Sequence, residues 1–307
     1  MNRYESDKVF EQSNTYHDFK NSRSQATRNR DMEPGGGEGF AVNCPIGTTE
    51  AAATATCASE DNSPAVADAT VGPNSCTSRG WGDPHMVTWD GLRYDVHVHG
   101  ELIFAKSLDA SSSFQIQART EPVENHDAKP AVTTGIVITD NGMPKIQVSM
   151  PRDEDEPCTE VINGCPVELY VDDELRKPSH GSGSDLAKVD VSGSRITVQY
   201  PGNSQIKVVM DVTSWRNECH FSVTYTLGTC RSDIVGLLGS PDGEWRNDWM
   251  DTSGNPLTIP DDLRRGSGFA PTMEYTRDNW CVPNESSSNF AYEHDTDFDT
   301  FDICDNP

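Results

Sequence analysis

Ile206-Lys207-Val208-Val209-Met210-Asp211-Val212 and, after a short break, Phe221-Ser222-Val223-Thr224-Tyr225-Thr226-Leu227 decide the fold class. Apolar side chains recur at every second position, as Ile206, Val208, Met210 and Val212 and then as Phe221, Val223, Tyr225 and Leu227. A strand turns successive side chains to opposite faces, so a period of two marks half-buried strands. Working outward, the same period appears in Ile196, Val198 and Tyr200. It returns in Phe114, Ile116 and Ala118, which alternate with Gln115, Gln117 and Arg119. Turn formers separate these runs: Asp140-Asn141-Gly142, Asp172-Asp173, Ser192-Gly193 and Pro201-Gly202-Asn203. No apolar i, i+3, i+4, i+7 run of helical length interrupts them. The fold class is all-β, an antiparallel two-sheet sandwich.

The chain has 307 residues, enough for roughly one large or two modest domains. Its 24 Lys and Arg against 49 Asp and Glu leave a net charge of −25, which argues against a nucleic-acid partner, since a phosphate backbone needs clustered positive charge. No window approaches the ~18 apolar residues of a membrane span. Hydrophobic content of 34% is low, so part of the chain is expected to lack a core. Residues 1–75 fit that expectation, with a polar stretch from Asn2 to Arg30, a glycine break from Pro34 to Gly39 and an Ala/Thr/Ser tract from Glu50 to Ala69. They read as a disordered linker or as a small module stapled through Cys44, Cys57 and Cys76. The β domain is expected over 76–277, and 278–307 forms an acidic extension with eight carboxylates and no Lys or Arg. There Asp295, Asp297, Asp299 and Asp302 interleave with Phe298 and Phe301. That strip reads as a solvated tail pinned at Cys304, or as a low-affinity calcium surface or docking strip.

None of the nine cysteines lies in a CxxC, which excludes zinc-ribbon and thioredoxin readings. Spread singly through strands, they suit the disulfides of an extracellular, secreted protein. Cys158 with Cys165 could close a short loop, and Cys219 with Cys230 could staple a hairpin. An odd count leaves one cysteine free or bonded to another chain. Met1 to Lys20 shows no basic-then-apolar signal segment, so the chain is expected to be a piece of a longer secreted protein or a truncated reading of one.

Two segments at opposite ends of the β region carry specific chemistry. The first is Gly82-Asp83-Pro84-His85-Met86-Val87-Thr88-Trp89-Asp90-Gly91-Leu92-Arg93-Tyr94-Asp95, and the second is Gly236-Leu237-Leu238-Gly239-Ser240-Pro241-Asp242-Gly243-Glu244-Trp245-Arg246-Asn247-Asp248. Asp242, Glu244, Asn247 and Asp248 lie within seven residues beside a turn glycine. Such a loop, dense in hard oxygens, suits Ca²⁺, which takes ~6–8 of them. The EF-hand spacing is not met, so a site here must borrow a ligand from elsewhere.

Together, GDPH-x-x-T-W-D-G-x-x-Y-D and the distant GLLG-x-x-DG-x-x-x-ND resemble the von Willebrand factor type D domain. The resemblance covers about 76–277, and Asn279-Trp280 to Tyr292 resembles the W-x-V … S-x-F-x-Y continuation that follows such domains. It implies a two-sheet β fold holding one Ca²⁺ between its first and last motifs. Asp90, Asp242, Asn247 and Asp248 would be the side-chain ligands, and Glu244 or the carbonyl of Trp245 would complete the shell. Gly100-Glu101 and Leu238 stand where mucin-like members carry cysteine, which speaks against covalent polymerisation. The GLLG form looks more like the D domains of lipid-transport and yolk proteins or of mosaic extracellular proteins.

Gly82-Asp83-Pro84-His85 reads as a structural turn at the first strand. In some relatives this sequence implies cleavage between Asp and Pro, so self-cleavage at Asp83–Pro84 assisted by His85 is the alternative. His97 and His99 are expected to alternate on one strand face, so both could reach one transition metal, or they are packed or surface side chains. Asn284-Glu285-Ser286 is a glycosylation sequon. No GxSxG, HExxH, P-loop or GxGxxG motif supports an enzyme. The expected function is a non-catalytic, calcium-stabilised extracellular adhesion or interaction module whose partners are other extracellular proteins or glycans. Self-cleavage at Asp83–Pro84 and a lipid- or yolk-transport role are the alternatives.

Overall fold

The computed structural model describes residues 42–43, 56–57, 76–82, 84–123, 130–151, 159–178, 187–200, 205–260, 263, 269–292, 296–301 and 304. Within the presumed linker, β1 (Val42–Asn43) pairs antiparallel with β2 (Thr56–Cys57), and the rest of that expectation lies outside the described residues. The main body opens with β3 (Cys76–Trp81), β4 (His85–Val87) and β5 (Arg93–Asp95). There follow β6 (Gly100–Ser107), β7 (Gln115–Pro122), β8 (Ala131–Thr139), β9 (Ile146–Ser149), β10 (Glu160–Ile162), β11 (Cys165–Val171) and β12 (Glu174–Arg176). Then come β13 (Lys188–Ser192), β14 (Arg195–Gln199), β15 (Ile206–Trp215), β16 (Glu218–Leu227), β17 (Ile234–Val235) and, as the one α-helix among the described residues, α1 (Phe269–Trp280).

Two antiparallel sheets result. The first runs β10-β11-β9-β8-β7-β6-β17 with β12 beside β11, and the second runs β13-β14-β15-β16-β3-β4-β5. The all-β sandwich expected from the alternation is the observed fold. Val208, Met210, Phe221 and Tyr225 are buried between the sheets, and Phe104 of β6 meets Tyr225 of β16 edge-on at 6.0 Å. The predicted turns at Asp140-Asn141-Gly142, Asp172-Asp173 and Ser192-Gly193 join β8 to β9, β11 to β12 and β13 to β14. Asp172 and Asp173 both take positive φ, the backbone that a two-residue hairpin loop requires. Pro201-Gly202-Asn203 lies outside the described residues, but the bond from Tyr200 N to Ile206 O closes the connection at 2.9 Å.

The disulfides differ from the local pairings expected. Cys219 does not staple its own hairpin to Cys230. It bonds Cys165 and so ties β16 of the second sheet to β11 of the first, while Cys230 bonds Cys76 at the start of β3. With Cys165 engaged there, the expected loop with Cys158, itself outside the described residues, is not formed. The physical reason is topology: β16 lies beside β3, and its hairpin partner β15 packs against β11, so partners remote in sequence come within Cα–Cα distances of 5.4 and 5.6 Å. The third described disulfide, Cys281–Cys304, pins the C-terminal extension as expected.

The alternation in β7 is also less one-sided than a half-buried strand. Gln117 and Arg119 are as buried as Ile116 and Ala118, because the extension lies across the outer face of this sheet. Phe298 and Phe301 turn inward while Asp297 and Asp299 stay exposed, so the interleaved strip is amphipathic. Among the described residues no helix is long and apolar enough to cross a membrane.

Candidate metal centre

The first motif ends in a tight loop between β4 and β5. Thr88 N donates to Leu92 O at 2.9 Å, and Thr88 Oγ1 accepts from Leu92 N at 2.8 Å. Gly91 takes φ +90° at the tip, and Asp90 is presented beside it. The second motif leaves β17 along the backbone of β6, with Leu238 N donating to Phe104 O at 2.9 Å. Two of its three glycines, Gly236 and Gly239, are required by space. A Cβ on Gly236 would sit 2.3 Å from Phe104 O, and one on Gly239 would sit 2.4 Å from Asp248 Oδ1.

The two motifs interlock at four points. Trp89 N donates to Leu238 O at 2.9 Å, and the Tyr94 hydroxyl donates to Leu237 O. Thr88 Oγ1 donates to Asp248 Oδ2. Asp90 Oδ2 accepts from Gly243 N at 2.7 Å and from Asp242 N at 3.2 Å. Within the late loop, Asp242 Oδ1 accepts from Glu244 N and Asp242 Oδ2 from Asn247 Nδ2, at 2.9 and 2.8 Å. Asp248 Oδ1 accepts from Ser240 N at 3.1 Å.

This arrangement gathers negative charge. Burial pushes the Asp248 carboxyl up to about 7, opposed by the Thr88 and Ser240 hydrogen bonds and reinforced by the charges of Asp90 and Asp242. Burial also raises Asp90, with Asp242 adding to it against the bonds from the Gly243 and Asp242 amides. Beside these carboxylates, Asn247 Oδ1 is buried and has no hydrogen-bond partner. A buried acceptor left unmet costs about 1–3 kcal/mol. A hard divalent cation would meet that oxygen and neutralise the crowded carboxylates, so the donor set fits Ca²⁺ chemically. Among the described residues no three His, Cys, Asp or Glu side chains converge as a preformed metal cluster. The carboxylates are laced instead to backbone amides, and the set becomes one of mixed oxygens only when the Asn247 amide is counted.

The remaining site expectations fall as follows. Asp90, Asp242, Asn247 and Asp248 lie together. Glu244 caps the 3-10 turn Trp245–Asn247 and its carboxylate is engaged by Arg246, while the Trp245 carbonyl accepts from Asp248 N. Thr88 and the Ser240 amide hold Asp248 and were not singled out from sequence; the signal was the threonine two positions before Asp90 in T-W-D-G. Asp83 lies outside the described residues. Its neighbours place Pro84 O as acceptor for Val96 N at 3.0 Å, and His85 Nδ1 2.7 Å from Asp95 Oδ1. His97 and His99 do not alternate on a strand as expected: they precede β6 in a non-strand segment, and both are buried as packed side chains.

A search of curated proteins returned no match to this chain. The profile of the von Willebrand factor type D domain matches residues 78–255, which takes in both interlocked motifs and most of both sheets. That span exceeds half of the 307 residues, and the chain belongs to the von Willebrand factor type D domain family.

Proposed function

We propose that the chain is a non-catalytic extracellular interaction module in which one structural Ca²⁺ fixes the late loop to the first motif. The reading rests on one observation: the buried Asn247 Oδ1 has no hydrogen-bond partner, while the amide that carries it donates to Asp242, which adjoins Asp90 and adds its charge to that of Asp90 at Asp248. Asp90, Asp242, Asn247 and Asp248 would hold the ion, with the Glu244 carboxylate or the Trp245 carbonyl completing its shell. The ion would supply charge neutralisation and a cross-link between segments about 150 residues apart in sequence. Family membership and three disulfides among the described residues support an oxidising, extracellular setting. Asn284 of the sequon is exposed beside the 3-10 turn Glu285–Ser287, where a glycan would meet no packing. Exposed Trp81 and Trp215 on the second sheet offer contact surface to a protein or glycan partner.

Thermal unfolding with calcium and with chelator tests the reading. The parent is expected to melt higher in millimolar calcium, by the equivalent of about 2.7 kcal/mol at a hundredfold excess over Kd. Asp90→Ala and Asp242→Ala should lose that rise. An unchanged calcium-dependent rise in both variants overturns the assignment.

A further inference from the structure

The outer face of the first sheet is built to hold an extended peptide. Gln117 of β7 donates to Ser287 O at 2.9 Å and accepts from Asn289 N at 2.8 Å. Gln147 of β9 accepts from Ala291 N at 2.7 Å and donates to Ala291 O at 3.1 Å. Both side chains are fully buried, and both read backbone rather than side chain. The alternate residues of the segment point down. Ser288 Oγ donates to Glu101 Oε2, and the Tyr292 hydroxyl donates to the same oxygen at 3.4 Å. Phe290 lies 4.3 Å from the Arg119 guanidinium and occupies a socket left by Gly135, where a Cβ would come within 2.9 Å of its ring. Phe301 covers Arg119 at 3.4 Å, and the Cys281–Cys304 disulfide closes the strap.

None of these contacts depends on the segment belonging to the same chain. Removing it would leave two buried amides and a buried Arg119–Glu101 pair facing an empty groove, so the face requires an occupant. A second copy carries the same segment, and exchange of identical elements repeats every contact. The exposed stretch from Pro283 to Ser286 precedes the first contact with the face and is the natural hinge. We propose that this face is a docking site for one extended Ser-Asn-Phe-Ala-Tyr segment, filled in cis by Ser288–Tyr292 when Cys281–Cys304 closes within the chain, and filled by the same segment of a second copy when it does not. The product is a strap-exchanged dimer joined by Cys281–Cys304 bonds between copies. The segment and both of its cysteines lie outside the residues matched by the family profile, the face that receives it lies within them, and the proposal does not depend on the calcium reading.

Mixing full-length Cys281→Ser with full-length Cys304→Ser in a glutathione buffer tests it, because neither chain can close its own strap. Docking in trans brings the remaining Cys304 beside the remaining Cys281. The two thiols lose two protons and two electrons, and glutathione disulfide leaves as two thiols. The expected result is a covalent heterodimer whose bond maps to Cys281–Cys304, with its yield falling at least tenfold when both chains also carry Gln117→Leu and Gln147→Leu. No heterodimer, or a yield unchanged by the glutamine substitutions, overturns the proposal. Should either variant lack native circular dichroism, the parent chain is refolded oxidatively with excess synthetic peptide 284–304. Capture of the peptide on Cys281 then supports the docking site, and its absence refutes it.

Discussion

Replacing Asp248 by Asn should stabilise the protein without calcium and destabilise it with calcium, relative to the parent. Asp248 is 1% exposed, and its carboxyl is raised from 3.8 to about 7. A group whose folded pKa is raised contributes stability in full below its unfolded value and loses it as pH climbs through the folded one. The window therefore runs from about pH 4 to about pH 7, and above it the ionised carboxylate is a buried burden. Roughly three units at 1.36 kcal/mol each set a ceiling of about 4 kcal/mol. Asparagine keeps the Ser240 amide as donor to its Oδ1. Its Nδ2 would donate to Thr88 Oγ1, which already accepts from Leu92 N and lies 3.4 Å from Leu92 O as a fallback acceptor for its own proton. Exchanging one charge-assisted bond for a neutral one costs about 1 kcal/mol, leaving a gain of about 2–3 kcal/mol. In chelator near pH 8, Asp248→Asn should melt roughly 4–10 °C above the parent, and near pH 4 the two should coincide. Millimolar calcium should reverse the order, because the variant has lost a ligand charge. A variant that melts below the parent in chelator near pH 8, or one that shows the parent's full calcium shift, refutes the reasoning.

Three further outcomes are expected. Arg119→Ala should cost about 3–5 kcal/mol in urea unfolding, because it strands the Glu101 carboxylate in a site 3% exposed, and Arg119→Met combined with Glu101→Leu should recover part of that loss. Gly236→Ala should lower the melting temperature by the equivalent of about 3 kcal/mol or more, since its Cβ would meet the Phe104 carbonyl at 2.3 Å; a near-neutral result would mean that β6 can give way there. Replacing Cys165 and Cys219 together by Ser should cost about 2–4 kcal/mol, read from the urea midpoint, because the bridge closes 54 residues of chain between the two sheets.

The strands of the sandwich were legible because their information is local: alternation in Ile206–Leu227 needs only a period of two and a core. What failed to show was everything set by a distant covering element. Gln117 and Arg119 look like a solvent face until Ser287, Asn289, Phe290 and Phe301 cover them, and no property of β7 announces those residues. Helix α1 escaped notice for a different reason. Its buried positions, Thr272, Tyr275, Thr276 and Trp280, keep helical spacing, but two of the four are threonines, so no apolar stripe appears. Thr276 Oγ1 donates to Thr272 O at 2.8 Å, which lets a hydroxyl sit in the core at little cost. The acidic loop was visible as a cluster of oxygens, and the borrowed residue Asp90 came from the family resemblance. Thr88 and Ser240 stayed hidden because their role is to hold Asp248, which only the assembled loop reveals.

The two-ended character of the sequence match has a mechanical reason. Thr88, Trp89, Asp90 and Tyr94 each bond the late segment, so neither motif keeps its shape without the other. The late loop also has a back wall beyond the matched residues. Trp249, next to Asp248, stacks on Tyr275 of α1 with ring centres 4.2 Å apart and planes 6° from parallel, and Met250 N donates to the Tyr275 hydroxyl. Further along α1, Lys106 of β6 lies 5.6 Å over the Trp280 ring, and Cys281 forms a bridge to Leu102 of the same strand. Strand β6 therefore touches all three features at once: Phe104 carries the GLLG backbone, Leu102 carries the origin of the strap, and Glu101 anchors Ser288. Because interior packing resists continuous deformation, a shift of the late loop has to be taken up by Trp249 and Tyr275 before it reaches solvent. Trp249 and Tyr275 thus join the carboxylate cluster by direct packing to the helix from which the strap departs.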